Sequence, residues 1–307
     1  MELQQTTTQP VNDAQIDASP SGGRMMESLI PQQADQPCST CGSQARSGVD
    51  GTFTPGFVYA LGKIEPRFPT LGVEKEFAQA TGLHATSGLT DRQAFHDVLK
   101  RNRYLARQLC WVFSVGGLPT YILQSRDPFD FELLLESLRR EPSATDIDVV
   151  IGVRGPIAPP EMCNGLMIPI VLFDQLYSFD HSSFLKAIPR PDGVAEDQFR
   201  ATTDQVLDRI VQLSDNAGAT DEHRALNYLA VRYAAIYATA HEAFSQNQSL
   251  SGVEVRTSRL SGTRKIVDPV FAFTHRQTDV TEKYFVRVDV TEEFPFLVSK
   301  LSHYYDR

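Results

Sequence analysis

Two helix-forming stretches lie back to back in the second half of the chain, and a tail with a period of two follows them. From Asp197 to Leu213, apolar residues at Phe199, Val206, Leu207, Ile210 and Leu213 fall close to one stripe. Asn216-Ala217-Gly218 ends that helix. Thr220 then caps the next, with Asp221 and Glu222 in its first turn, where acidic side chains suit the helix dipole. Leu226, Leu229, Tyr233, Ile236, Tyr237, Ala240 and Phe244 continue its inner face, so the pair reads as a central helical hairpin. In the tail, Val253 and Val255 alternate with charged residues. Tyr284, Val286, Val288 and Val290 alternate with Phe285, Arg287 and Asp289. That period predicts antiparallel strands with one wet face.

The first half mixes short elements. Phe57 to Phe68 opens with β-formers and is expected to break at Pro66. Leu71 to Ala80 reads as a helix stopped by Gly82. Thr90 and Gln93 have capping-box spacing ahead of a helix running to about Arg107. CWVFSV and LPTYILQS flank Gly116-Gly117, a hairpin signature. Asp127-Pro128 opens a helix ending near Arg140. IDVVIGV and LMIPIVLF read as buried strands. Helices and strands in clusters, without strict βαβ order, predict a single α+β domain rather than a doubly wound sheet. Residues Met1 to Gln36 are polar, with little apolar surface to offset the entropy of ordering, and read as a disordered leader; the folded domain is expected over 37–307.

The formal charge of -9 argues against nucleic acid or an anionic membrane as the main partner. No apolar run approaches the roughly 20 residues that span a bilayer, and the N-terminus has no signal-peptide core, so a cytosolic location is expected. There, the four cysteines are expected as thiols or metal ligands rather than disulfides.

Cys38-Ser39-Thr40-Cys41-Gly42 is the sharpest chemical signal. A CxxC turn aims two thiolates at one point, and zinc needs four donors in a tetrahedron. Cys110 and Cys163 would complete a four-cysteine site; His84 and His96 are alternative donors. Against this stand two other readings: Cys110 and Cys163 as small buried hydrophobes, and the CxxC as a redox pair.

Arg154 and Glu161 flank the proline-rich loop Gly155-Pro156-Ile157-Ala158-Pro159-Pro160, where they line a groove for a peptide or form an ion pair tying the loop down. Asp146 and Asp148 share one face at the start of a strand, fit either for acid/base or metal chemistry or for capping neighbouring amides. Asp221-Glu222-His223 reads as a helix start and Trp111 as core. The chain has no G-x-S-x-G elbow, P-loop, H-E-x-x-H or G-x-G-x-x-G motif, so no reaction is legible.

Several long stretches, among them FVYALGKIEPRFPTLGVEKEFAQATG, TDIDVVIGVRGPIAPPEMCNGLMIPIVLFDQLYSFD, DNAGATDEHRALNYLAVRYAAIY and SGTRKIVDPVFAFTHRQTDVTEKYFVRVDVTEEFPFLVSKLSHYYDR, resemble the domain of unknown function that ends PatG-type cyanobactin maturation proteases. A related domain ends the PatA-type proteases. The resemblance runs from about Cys38 to Arg307. It implies an accessory, non-catalytic domain in the maturation of ribosomally made peptides, partnered by precursor peptide or pathway enzymes. A separate reading is an oligomerisation module, a homodimer in which the helical hairpin or a C-terminal strand edge pairs with a second copy. The resemblance also implies a structural zinc, with Cys38, Cys41, Cys110 and Cys163 at the family's cysteine positions. The alternative is a peptide-modifying enzyme or zinc hydrolase with an unrecognised site.

Overall fold

The computed structural model describes residues 56–82, 89–143 and 145–305. Its first element is one long strand, β1 (Gly56–Arg67). Pro66 does not end it. Its position, opposite Trp111 and one rung from the end of the ladder, is where a missing N–H disturbs little pairing. Helix α1 (Leu71–Gly82) follows, then α2 (Asp91–Arg101), which starts on the expected capping box of Thr90 and Gln93. The helix expected to reach Arg107 stops at Asn102, whose side-chain amide turns back onto the carbonyl of Val98. It resumes as α3 (Arg103–Gln108).

The hairpin is where the sequence puts it: β2 (Cys110–Val115) and β3 (Leu118–Ser125) are joined by Gly116 and Gly117 at φ 58° and 81°. Two successive positive φ angles define the turn that matches strand twist, and glycine adopts them without strain. Helix α4 (Phe131–Ser137) is shorter than expected, because the Asp127 carboxylate accepts from the Phe129 amide and holds a turn ahead of it. Strands β4 (Ile147–Ile157) and β5 (Pro169–Phe179) complete the first half.

These five strands close into a barrel in the order β1-β2-β3-β5-β4. All pairs are antiparallel except β3 with β5, which run parallel from Ile122 opposite Ile170 to Ser125 opposite Phe173. The sheet elements were expected to be antiparallel; this one seam departs from that. A five-stranded Greek-key barrel with a helix between its third and fourth strands is an arrangement of the OB type. Val58, Ala60, Trp111, Phe113, Leu123, Val150, Val171 and Phe173 pack in one cluster with Phe131 and Leu134 of α4.

After the barrel comes α5 (His181–Ala187), not anticipated from sequence, capped by the Asp180 carboxylate, which accepts from the amides of Ser182 and Ser183. The two-helix centre then appears as three: α6 (Glu196–Leu213), α7 (Asp221–Arg232) and α8 (Ala235–Ser245). The expected single second helix breaks at Tyr233-Ala234, and the Tyr237 hydroxyl donates to the Ala230 carbonyl beside the break at 2.6 Å. Thr220 caps α7 as expected, accepting from the His223 amide.

The tail forms a second, antiparallel sheet. Its strands are β6 (Gln248–Thr257), β7 (Ile266–His275), β8 (Thr281–Phe285), β9 (Val288–Asp289), β10 (Phe296–Leu297) and β11 (Ser302–His303). The order is β10-β9-β7-β8-β11, with β6 along the other side of β7. Tyr59, Leu61, Val149 and Ile151 on the outside of the barrel, the inner faces of α6, α7 and α8, and Val267, Phe271, Phe273, Val286 and Val288 of the second sheet share one apolar cluster. The helices are thus sandwiched between the barrel and the sheet.

Strand β1 is held from the helical layer as well. Where β2 has not yet begun to pair, the loop before α7 takes its place: the Tyr59 amide donates to Gly218 and the Leu61 amide to Asn216, at 3.1 and 2.9 Å. Asn227, fully buried on α7, donates from Nδ2 to the Tyr59 carbonyl at 2.8 Å and accepts from the Ser214 hydroxyl. A second tie is Arg224, 2 % exposed, which donates to the carbonyls of Val290, Glu292 and Glu293 and pairs with Asp221 at 3.1 Å.

Candidate functional site

Of the four cysteines, Cys38 and Cys41 lie outside the described residues. Cys110, at the start of β2, and Cys163, in the loop between β4 and β5, are both buried and joined by a disulfide across 5.6 Å between Cα atoms. This corrects the expectation of free thiols for that pair. Two strands fixed in the barrel and a loop that folds back over them bring the sulfurs face to face. The loop covers the outer side of β2, β3 and β5: Ala158 and Cys163 pack with Val112, Ile122 and Ile170, and Met162, Leu166 and Ile168 close the edge. In OB barrels, ligands are taken on the face of the second and third strands and the adjoining loops. Here that face lies under the chain's own loop.

The remaining expected site residues are separated. His84 lies outside the described residues. His96 sits on α2, its Nδ1 3.0 Å from the Asp97 carboxylate. Among the described residues, no group of three or more His, Cys, Asp or Glu side chains is arranged to hold a metal ion. Arg154 and Glu161 are both exposed and make no ion pair with each other among the described residues. Between them in sequence Ile157 exposes its apolar side chain, and Met167 does so further along the loop. Asp146 and Asp148 are buried and engaged in holding backbone. Asp148 accepts from the Ile64 amide at 2.7 Å and from the Ser178 hydroxyl; burial pushes its carboxyl up from the usual range, and those hydrogen bonds pull it back. Asp146 accepts from the Ser143 amide at 2.7 Å and lies 3.5 Å from Arg139. Capping, rather than acid/base work, accounts for the pair. Trp111 is core, its indole N–H donating to the Ala106 carbonyl.

Two polar groupings have no local signature in the sequence. Glu293 lies close enough to Asp174 of β5 for the two carboxyl groups to interact, and Asp174 itself pairs with Arg126 at 3.0 Å. Burial, then the neighbouring Asp174 carboxylate, push the Glu293 carboxyl up to about 7, against the pull of Arg126 and Arg224. The other grouping is the outer face of the second sheet. There Arg256, Arg259, Asp268, Phe285, Arg287 and the tail residues His303 to Tyr305 line a trough of about 550 Å³. Its signal was present in the sequence as the charged half of each period-two strand. What places those residues together is the crossing of Tyr304, whose hydroxyl accepts from Arg256 at 2.5 Å.

The fold defines a class before it defines a family member: an α+β domain of a barrel, a helical layer and a second sheet. A solved structure described as "PatG Domain of Unknown Function" superposes on it with a TM-score of 0.66 at 22% identity, covering 81% of this chain and 98% of that one. Residues 193–304, the helical layer from α6 onward and the second sheet, match the model of the PatG C-terminal family. The chain thus carries a PatG C-terminal region within a PatG-type domain fold. No curated protein matches. No helix among the described residues is long and apolar enough to cross a membrane.

Proposed function

We propose that this chain is an accessory, non-catalytic domain in the maturation of ribosomally made peptides, acting by binding the precursor peptide or its maturation enzymes. The observation that carries this reading is the PatG C-terminal match over residues 193–304 within a fold shared with the PatG domain. A domain of this kind works in the cytoplasm, beside the enzymes that trim and cyclise the peptide, and a second copy of the chain is a further partner. Pull-down and calorimetry of the purified protein against the peptide and enzymes encoded beside it test the reading. Binding to neither refutes it. The enzymatic alternative predicts a mass change in the peptide when this protein is the sole catalyst added.

A structural zinc belongs to the same proposal, held by Cys38 and Cys41 with the reduced forms of Cys110 and Cys163. What supports it is chemical fit. Zinc takes four thiolates in a closed shell, and the Cys110 and Cys163 side chains meet at one point on the barrel surface. Reduction would free two sulfurs there as donors. Zinc analysis of reduced wild-type protein and of Cys38→Ser tests it. Equal metal content, or none in either, refutes the site.

A further inference from the structure

We infer that the Cys110–Cys163 disulfide is a redox-operated latch: a dithiol reductant opens it, and the loop of residues 158–168 then lifts from the outer face of β2, β3 and β5. The loop is built as a separate piece. Its backbone hydrogen bonds run from the Ala158 amide to Ile168, Met162 to Pro159, Gly165 to Pro160 and Leu166 to Cys163, all within the loop among the described residues. Asn164 and Gly165, at φ 47° and 84°, turn the chain back just past Cys163. Towards the barrel, its polar side-chain contact among the described residues is Gln124 Nε2 to Met162 Sδ at 3.9 Å, and a thioether is a weak acceptor. What holds the loop down is therefore the disulfide, together with the packing of its apolar side chains against Val112, Ile122 and Ile170. Lifting it costs that apolar contact but leaves no backbone group of the barrel without its partner.

The setting of the two sulfurs suits thiol exchange. Both cysteines are nearly buried, yet a groove reaches each of them. One, of about 310 Å³, is lined by Cys110, Met162 and Arg107; the other, of about 300 Å³, by Cys163, Leu166 and Arg67. Arg67 is also the cross-strand partner of Cys110. Neither guanidinium makes an ion pair or hydrogen bond among the described residues; Arg107 lies over the Phe131 ring at 5.7 Å. Positive charge beside a disulfide draws in the attacking thiolate and stabilises the thiolate that leaves. In the exchange, one thiolate of the dithiol attacks a disulfide sulfur and the S–S bond breaks. The second thiol then displaces the mixed disulfide. Two electrons and two protons pass to Cys110 and Cys163, and the dithiol leaves as its own disulfide. The face uncovered, with Val112 and Ile122, is the one on which barrels of this type take ligands.

The test uses the full chain, with EDTA throughout so that no metal bridges the freed thiols. The native protein is reduced with dithiothreitol, desalted and pulsed with iodoacetamide, and peptide masses locate the label. Cys110 and Cys163 are expected to react within about a hundredfold of their rate in urea-unfolded protein, with far-UV circular dichroism unchanged. Thiols reached only by global unfolding would react about a thousandfold or more slowly, so any rate below the hundredfold limit overturns the latch. A disulfide that survives dithiothreitol in the native chain overturns it too. Loss of the circular dichroism signal on reduction would also do so, making the bond a staple of the whole barrel. Cys163→Ser, permanently unlatched, should raise the emission of the apolar dye anilinonaphthalene sulfonate by about threefold or more over the oxidised parent; equal emission counts against the uncovered face. Should that variant not fold, alkylation of the wild-type chain decides alone. None of these readouts depends on the pull-down of maturation partners, so the accessory reading stands or falls separately.

Discussion

Gly218 is the residue on which the junction between barrel and helices is most exposed to a single methyl group. It sits at φ 59°, and a Cβ built there would lie 1.8 Å from the Tyr59 carbonyl oxygen. Placing alanine in the left-handed region costs about 1–2 kcal/mol by itself. The clash is with backbone, so it is relieved only by moving the loop away from β1. That breaks the amide bonds from Tyr59 to Gly218 and from Leu61 to Asn216, at about 1 kcal/mol each. The sum for Gly218→Ala is about 4 kcal/mol, before any disturbance of Asn227. At roughly 2–4 °C per kcal/mol for a domain of this size, the Tm should fall by about 10 °C. Thermal unfolding followed by circular dichroism, with calorimetry to check that the transition stays cooperative, measures it. A Tm within about 2 °C of the parent would refute the reasoning, because it would mean that the loop gives way without loss and does not hold β1.

Glu293 carries a pH dependence with a definite sign. Its folded value, about 7, lies above its ordinary 4.5, so the native state holds a proton that the unfolded state releases. Its contribution is full below about 4.5 and is lost as pH rises through 7. Glu293 is partly exposed, and after screening the change amounts to about 1 kcal/mol. Glu293→Gln should flatten the urea-midpoint profile between those pH values; a parallel profile would count against the Asp174 contact. Arg224→Met leaves three carbonyls and Asp221 without their buried donor, and should cost about 3–5 kcal/mol in urea unfolding. A loss below about 1 kcal/mol would show the tail held by other means. Reducing the disulfide opens a loop closed over a separation of 53 residues, worth up to about 4 kcal/mol in chain entropy. An unchanged midpoint with both thiols titratable would contradict that.

What the sequence displayed was mostly local. The Gly116-Gly117 turn, the Thr90 capping box and the Thr220 cap each depend on a few neighbouring residues, and each is where the pattern put it. The closed barrel was not visible, because its parallel seam joins Ile122 to Ile170, and no periodicity records which distant strand a given one will choose. The break at Tyr233 was hidden for a related reason: the apolar stripe runs on through it, and only tertiary contacts stop the helix. Seven-residue α5 was too short to show a stripe. For the site, Cys110 and Cys163 were legible as a pair of interest but not as a bonded pair, since that depends on a loop folding back over the barrel. The charged positions of β6 and of the stretch from Tyr284 to Val290 were legible as a wet face. Their gathering into a trough depends on where the last residues of the chain cross.

The apolar cluster shared by Tyr59, Leu61, Val149 and Ile151 with the helices bears on where this molecule can be divided. Residue 193 begins the stretch matched by the family model, yet it falls between two layers that complete each other. A fragment starting there would expose to water the apolar side of the helical layer that meets Tyr59, Leu61, Val149 and Ile151. The fragment ending there would leave β1 with unanswered amides and a greasy flank, an invitation to aggregate. The recognisable segment and the smallest autonomous folding unit are therefore different pieces of this chain, and the second is the larger.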